Sequence, residues 1–415
     1  MKKIVLFSIL AISQMVTSQT VSTVNSGGLL NRPHDVVVHS NGFIYIANQF
    51  SHQIYTISPG GVTSVYAGDG TVGSNNANGI SASFSSPTGV CFNTANELFV
   101  TDYGNNLIRK IDVNGDVTTF AGSGAATSID GTGVLASFNG PVGICTDAND
   151  NIYIAEQVGH RIRKITPAGV VTTVAGNSTP GSINANGAFA SFNGVYDVIA
   201  DASGNLYAAD QNNNLIRKIA PNGDVSTVAG SGASISSDGI GTAASFKIPL
   251  SVSLDANGDL FVVDYGSHSV RKINLNTFEV TTVAGNPMAS ANYVDGPAIG
   301  TARFNEPIGA CFDLNGDLII ADYGNSQIRK LSGLPLAINE LNNTMNIDLY
   351  PNPTSSNIQV STDEKIDVIH IYNFAGRLIK STTETIIDVT DLTSGVYYMN
   401  ILTEKGLINK RFVKE

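Results

Sequence analysis

Three sets of side chains in this 415-residue chain have the types and spacing to do chemistry. Asp35 and Asp197 lie 162 residues apart, and each follows a hydrogen-bonding aromatic residue, His34 and Tyr196. Two carboxylates beside an imidazole and a phenol could hold a cation such as Ca²⁺ or work as an acid and base pair. Gln49, Tyr103, Gln157, Gln211, Tyr265 and Tyr323 recur at near-constant spacing. They combine planar amides with aromatic rings, the groups that hold a glycan or a peptide. The third set pairs an acid with an arginine: Asp102 with Arg109, Glu156 with Arg163, Asp210 with Arg217, Asp264 with Arg271 and Asp322 with Arg329. What each set can do depends on the elements that carry it.

Those elements repeat. The segment "VTDYGNNLIRKI" from Val100 has counterparts from Ile46, Ile154, Ala208, Val262 and Ile320. Their third residues, Asn48, Asp102, Glu156, Asp210, Asp264 and Asp322, step by 54 four times and then by 58. Within each period, short runs rich in Val, Ile, Thr, Tyr and Phe are punctuated by Gly, Asn and Asp, which predicts four antiparallel strands and a long connection. A four-stranded sheet at this period fits a propeller blade. The last period lacks its fourth strand, and "TVSTV" near the N-terminus matches the fourth-strand text "VSTVAGSG" from Val225. The expected fold is therefore all-β: a six-bladed β-propeller of four-stranded blades, closed when Val21 to Val24 joins the last blade. That closure hides two edges that would otherwise invite pairing.

The text "LYAADQNNNLIRKIAPNGDVSTVAG" from Leu206 resembles the NHL-repeat family, and the resemblance extends over roughly residues 20 to 333. It implies a propeller and leaves function open, because such propellers include ligand-binding modules, an amidating lyase and spacers. After Gly333 the period ends. "LPLAINELNNTMN" reads as a linker, followed by about seven short strands in a small β-sandwich. Tyr350, Pro351, Asn352 and Pro353, then Tyr372, Asn373 and Gly376, then Leu392, Gly395 and Tyr397, and finally Lys410, Phe412, Val413 and Lys414 resemble the type A C-terminal sorting domain of the type IX secretion system. That resemblance implies the secretion machinery as partner, periplasmic transit and display at, or release from, the outer-membrane surface. The N-terminus agrees: "MKK", an apolar run of about 13 residues and small residues before Gln19 form a Sec-type signal peptide. The expected domains are 1–18 signal peptide, 19–333 propeller, 334–345 linker and 346–415 sorting domain.

The repeat also sorts the candidates, because a side chain present in every blade is scaffold and one that breaks its register is a functional candidate. The acid and arginine pairs occur in five blades and are lost together in the first, which has Asn48 and Tyr55; they are expected to sit opposite each other across two strands, at about 0.2–1 kcal/mol per pair. Phe84, Phe138, Phe192, Phe246, Phe304 and, in register, Leu30 are expected to fill the space between blades. Gln49, Tyr103, Gln157, Gln211, Tyr265 and Tyr323 follow the second strand, so they ring the face that also carries the long connections, called the top here. His52, Asn106, His160, Asn214, His268 and Ser326 stand three residues further on, where they either add hydrogen-bonding groups to the same face or cap tight turns. Asp35 and Asp197 replace Gly89, Gly143, Ser251 and Gly309 in register, and three of six periods place them across the top of the central channel from each other.

Other signals are weak. "DANGD" from Asp255 and "DLNGD" from Asp313 read as Asx turns and not calcium loops. Cys91, Cys145 and Cys311 share one inner-strand register, which predicts buried small hydrophobes without disulfide partners. The net charge of −11 disfavours nucleic acid, and no apolar run reaches the ~20 residues of a membrane span. The expected function is non-catalytic binding of an extracellular glycan or protein through the top-face ring. The alternative is a metal-assisted lyase or lactonase, such as related propellers host, with Asp35, Asp197, His34 and Tyr196 at the channel.

Overall fold

In the computed structural model the described residues are 19–25, 28–287, 291–334, 347–362, 365–373, 378–403 and 406–415. The expected signal peptide and nearly all of the expected linker lie outside them. The chain divides into two compact units after Leu334. Among its described residues the first has six antiparallel sheets in succession, five built from consecutive strands and the sixth completed by a strand from the N-terminus. The second blade shows the pattern: Pro87–Phe92 innermost, then Leu98–Asp102, Leu107–Ile111 and Val117–Ala121. Apolar side chains on both faces of each sheet meet those of the neighbouring blades, so the hydrophobic core is a series of layers between blades.

Closure occurs as the repeat requires. Thr20–Thr23 pairs antiparallel with Gln327–Ser332, Val21 opposite Leu331 and Thr23 opposite Arg329, and supplies the outer strand of the sixth blade. Three blades gain a short fifth strand that the sequence does not announce: Gly131–Thr132, Gly239–Ile240 and Gly296–Pro297 pair outside the fourth strand. Two residues carry too little pattern to be read as a strand.

The second unit has seven strands among its described residues, in a three-stranded and a four-stranded sheet. One apolar core, with Ile358, Ile369, Met399, Ile401 and Phe412 buried, fills it. Asn352 fastens its "YPNP" turn to the last strand, accepting a hydrogen bond from the Val413 amide at 3.0 Å.

The acid and arginine pairs differ from expectation in both place and environment. The hairpin register sets Asp102 against Leu107 and Arg109 against Val100, so the partners are diagonal neighbours on one face and not opposite residues. All five pairs are fully buried. Arg109 Nη1 lies 2.9 Å from Asp102 Oδ2 and also donates to the Ser83 carbonyl, while Nη2 donates to Asn76 Oδ1. Asp102 Oδ1 accepts the Ser85 amide at 2.7 Å, and the guanidinium lies over the buried Phe84 ring. The same arrangement recurs at Arg163, Arg217, Arg271 and Arg329, over Phe138, Phe192, Phe246 and Phe304. Each guanidinium therefore ties the long connection to the middle of its blade. Burial raises the proton affinity of Asp102, Glu156, Asp210, Asp264 and Asp322 despite the facing arginine, so desolvation outweighs attraction.

In the first blade Leu30, Asn48 and Tyr55 replace the ring, acid and arginine as a set. Asn48 still accepts the connection's amide, from Asn31 at 3.0 Å, and no charge is left buried. Arg109→Ala is accordingly expected to cost about 3–5 kcal/mol by stranding Asp102. The triple change Phe84→Leu, Asp102→Asn and Arg109→Tyr, which copies the first blade, should cost less than that single change in urea unfolding. A larger loss in the triple variant would contradict the clasp.

Candidate functional site

The site is assembled by the inner strands and by the turns above them. Every inner strand starts with a register shift against its partner, between Pro33 and Asp35 in the first blade and Val195 and Asp197 in the fourth. This bulge turns residues His34, Thr88, Val142, Tyr196, Leu250 and Ile308, with their successors, towards the channel. His34 and Tyr196 meet there: His34 Nε2 is 2.7 Å from the Tyr196 hydroxyl, and the rings stack at 5.6 Å. His34 Nδ1 is 3.0 Å from the Thr88 carbonyl, which can only accept, so this nitrogen carries the proton and Nε2 accepts from the phenol. Burial lowers the His34 pKa to about 4, so the imidazole is neutral near neutral pH.

Asp35 and Asp197 stand directly behind this pair. The cavity they share with it is about 10 Å³, the room of one water. Each carboxylate is engaged by amides. Asp35 Oδ2 accepts Val90 N–H at 3.0 Å and the carboxylate also accepts that of Val36. Asp197 accepts Val198 at 2.8 Å and Val252 at 3.0 Å. Both span to the next blade in this way, and a side chain at Gly309 or Gly143 of the preceding blade would collide with them. Both remain partly exposed, lining the narrow space beneath His34 and Tyr196 and the wider cavity below. Burial raises the proton affinity of both, and the nearby Asp197 charge adds to it at Asp35. Below them a cavity of about 400 Å³ follows the lower halves of the six inner strands, past Cys91, Cys145 and Cys311. These are free thiols, two buried and one half-buried, and burial pushes their pKa values up, so they are protonated and unreactive.

Above the His34–Tyr196 pair lies the top-face ring. Gln49, Tyr103, Gln157, Gln211, Tyr265 and Tyr323 are half-buried and follow the second strand of their blades. Gln157 donates to Gln211 at 3.1 Å, and Tyr323 donates to Gln49 at 3.1 Å. Tyr265 is hydrogen-bonded to Glu306. Tyr103, Tyr265 and Tyr323 lie close enough to Tyr196 to add to the burial that raises its pKa. Among the described residues no group of three or more His, Cys, Asp or Glu side chains is placed to hold a metal ion. Asp255 and Asp313 each accept two amides of their own turns.

The turn residues do more than cap. His52, Asn106, His160, Asn214, His268 and Ser326 all adopt the left-handed conformation, with φ of 53–56°. Each accepts an amide of the following blade, from Ser86, Gly140, Gly194, Ile248, Glu306 and Arg32 respectively, at 2.8–3.3 Å. The amide donors also have positive φ, 52–70°. A closed ring of six such bonds joins blade to blade. Sequence register marks the accepting positions, but only the structure shows the amides that they hold. Arg32 and Phe50 also depart from their registers, and the fold brings the two together beside Tyr323.

Comparison with known proteins agrees with the two-unit architecture. The secretion system C-terminal sorting domain matches residues 348–415, the NHL repeat matches 304–331, and the SMP-30/gluconolactonase/LRE-like region matches 6–193. Protein SUPPRESSOR OF QUENCHING 1, chloroplastic, of Arabidopsis thaliana is 30% identical over 268 residues, covering 60% of this chain and 25% of that protein. NHL repeat-containing protein 2 of Bos taurus is 27% identical over 336 residues, covering 71% and 45%. The chain thus spans less than half the length of either relative. An auxiliary nutrient binding protein from Bacteroides thetaiotaomicron superposes with a TM-score of 0.57 at 17% identity, with 76% of each chain covered, a likeness of fold. Fold and site together define a propeller with a separate C-terminal sorting module. The NHL-repeat match falls within the propeller, and the sorting-domain match at residues 348–415 points to type IX secretion, which carries proteins to the cell surface or outside. No helix among the described residues is long and apolar enough to cross a membrane.

Protonation would remove the acceptor that His160 and His268 offer the next blade. Burial lowers the folded-state pKa of both below the ordinary value of about 6.5; Asp210 opposes this at His160, while at His268 Glu306 opposes and Lys247 assists. Their stabilisation is present above that ordinary value and lost as pH falls through the lowered one. His160→Asn with His268→Asn installs the acceptor used at Asn106 and Asn214. This variant should lose less stability than the native chain between about pH 7 and pH 4 in urea unfolding; parallel losses would refute the role.

Proposed function

We propose that the propeller is a non-catalytic ligand-binding module at the cell surface or outside the cell, and that it takes a glycan or protein ligand on its top face. The observation that carries this reading is the His34–Tyr196 pair. It closes the channel beneath the ring of Gln49, Tyr103, Gln157, Gln211, Tyr265 and Tyr323, so the ring surrounds a floored surface of amides and aromatic rings. Such groups bind by stacking and hydrogen bonding and bring no general base. The nutrient-binding neighbour supports the same direction.

In this reading residues 1–18 lead the chain through Sec-type export into the periplasm, 19–333 form the propeller, and 346–415 engage the type IX machinery before the tail is removed. If the top face binds, replacing Tyr103, Tyr265 and Tyr323 by Ala should abolish signals that the native chain gives on a glycan and surface-protein array. An unchanged array pattern would overturn the proposal.

The raised proton affinity of Asp35 and Asp197 favours one second reading, a metal-assisted lyase or lactonase centred on these carboxylates with His34 and Tyr196. Both carboxylates are acceptors for two amides each, behind a cavity of one water, which opposes it. If that reading holds, Ca²⁺ should raise the unfolding temperature of the native chain and not that of Asp35→Asn. No calcium-dependent shift in the native chain would exclude it.

A further inference from the structure

The repeat is its own control on the top face, and one sector breaks the pattern twice. Arg32 occupies the register held by Ser86, Gly140, Gly194, Ile248 and Glu306, and Phe50 that held by Gly104, Val158, Asn212, Gly266 and Gly324. The two are 18 residues apart in sequence and meet over Tyr323, where the sixth blade adjoins the first. The Arg32 carbon Cζ lies 5.0 Å from the Phe50 ring centre and 5.1 Å from that of Tyr323. The rings themselves are 6.4 Å apart at 69°.

This contact fixes the guanidinium and leaves its edge unspent. Arg32 Nη1 makes one long hydrogen bond, 3.4 Å to the Tyr323 hydroxyl, which itself donates to Gln49. No carboxylate among the described residues forms an ion pair with Arg32, and Glu306, the nearby acid, is held by Tyr265. Arg32 is exposed, and Phe50 is 53% exposed although it is a large apolar ring. The buried clasp guanidinium groups of this propeller spend both terminal nitrogens on acids, carbonyls and connection side chains, leaving only Nε without a partner; at Arg32 the fork is presented outwards beside a flat hydrophobic ring. An arginine held by aromatic rings presents parallel N–H groups that match a carboxylate, and the ordering entropy has been met before the ligand arrives.

We infer that Arg32, Phe50, Tyr323 and Gln49 form an anion subsite of the top face that recognises a carboxylate-bearing glycan, the acid group on the Arg32 fork and a sugar face on Phe50. The inference rests on the top-face binding reading and specifies its ligand class. A sugar is favoured over a peptide because the cation adjoins an exposed ring face, and the hydrogen-bonding groups around it are side-chain amide and phenol and not a free strand edge.

The test is calorimetric titration of the whole mature chain with an oligogalacturonate and with a neutral cello-oligosaccharide of equal length. The acidic probe should bind more tightly. Arg32→Ala should weaken it by about tenfold or more and abolish its advantage over the neutral probe. Arg32→Lys should lose most of the same preference, because it keeps the charge but not the planar fork. Equal binding of the two probes, or an acidic preference that survives Arg32→Ala, would overturn the inference. So would preference for an oligoglutamate peptide over the oligogalacturonate. Loss of the neutral probe on changing Tyr103 and Tyr265 to Ala, with no acidic preference in the native chain, would sink this subsite and leave the top-face reading standing.

Discussion

Each long connection of the propeller is held down by one guanidinium sealed from water. The arginine reaches diagonally across its hairpin to an acid, forward to an Asn or Asp of the connection, and lies over a buried phenylalanine. Because desolvation raises the proton affinity of the acids even with the cation beside them, the interaction is not a large source of net stability. Its consequence is positional. The acid's second oxygen accepts the amide just after the phenylalanine, which sets where the chain turns into the next inner strand. Everything at the top of the channel inherits its placement from that turn.

A second set of constraints converts well-placed blades into a closed ring. At the junctions both the accepting side chain and the donating amide sit at positive φ, so each turn is held in a conformation that costs most residues energy. The bond between them offsets that cost only when the neighbouring blade is in place. Asp35 and Asp197 work similarly lower down, each bridging to the following inner strand where other blades have Gly or Ser. The carboxylates that look most reactive in the sequence are thus also structural acceptors, while the face they were expected to serve is closed off from them by an imidazole and a phenol.

The division between channel and top face has a functional reading. Acids, thiols and apolar strand edges lie inside, with little access from above. Amides, phenols and one aromatic-held arginine lie outside, on the face built from turns. Turns tolerate substitution without disturbing the layers between blades, so this is where one blade can differ from the next. The first blade differs most: it has lost the buried clasp and carries Arg32 and Phe50 on its surface.

Much of this was legible in the residues alone. A constant spacing of 54 reports blades because each blade must bury the same faces against its neighbours, and the displaced strand at Val21 reports closure because an unpaired edge must be covered. Register also gave the phenylalanine ring, the half-circle separation of Asp35 and Asp197 and the free thiols. It could not give depth. Whether Asp102 and Arg109 meet in water or in the core, and whether His34 and Tyr196 touch across the channel, depends on side chains from different blades converging on the same few ångströms. The same holds for Arg32 and Phe50: each is an ordinary surface residue in its own segment, and only the tertiary structure sets both against Tyr323. Periodicity in a sequence determines which residues are equivalent; which of them are close is decided by closure of the ring, a distance that no local pattern encodes.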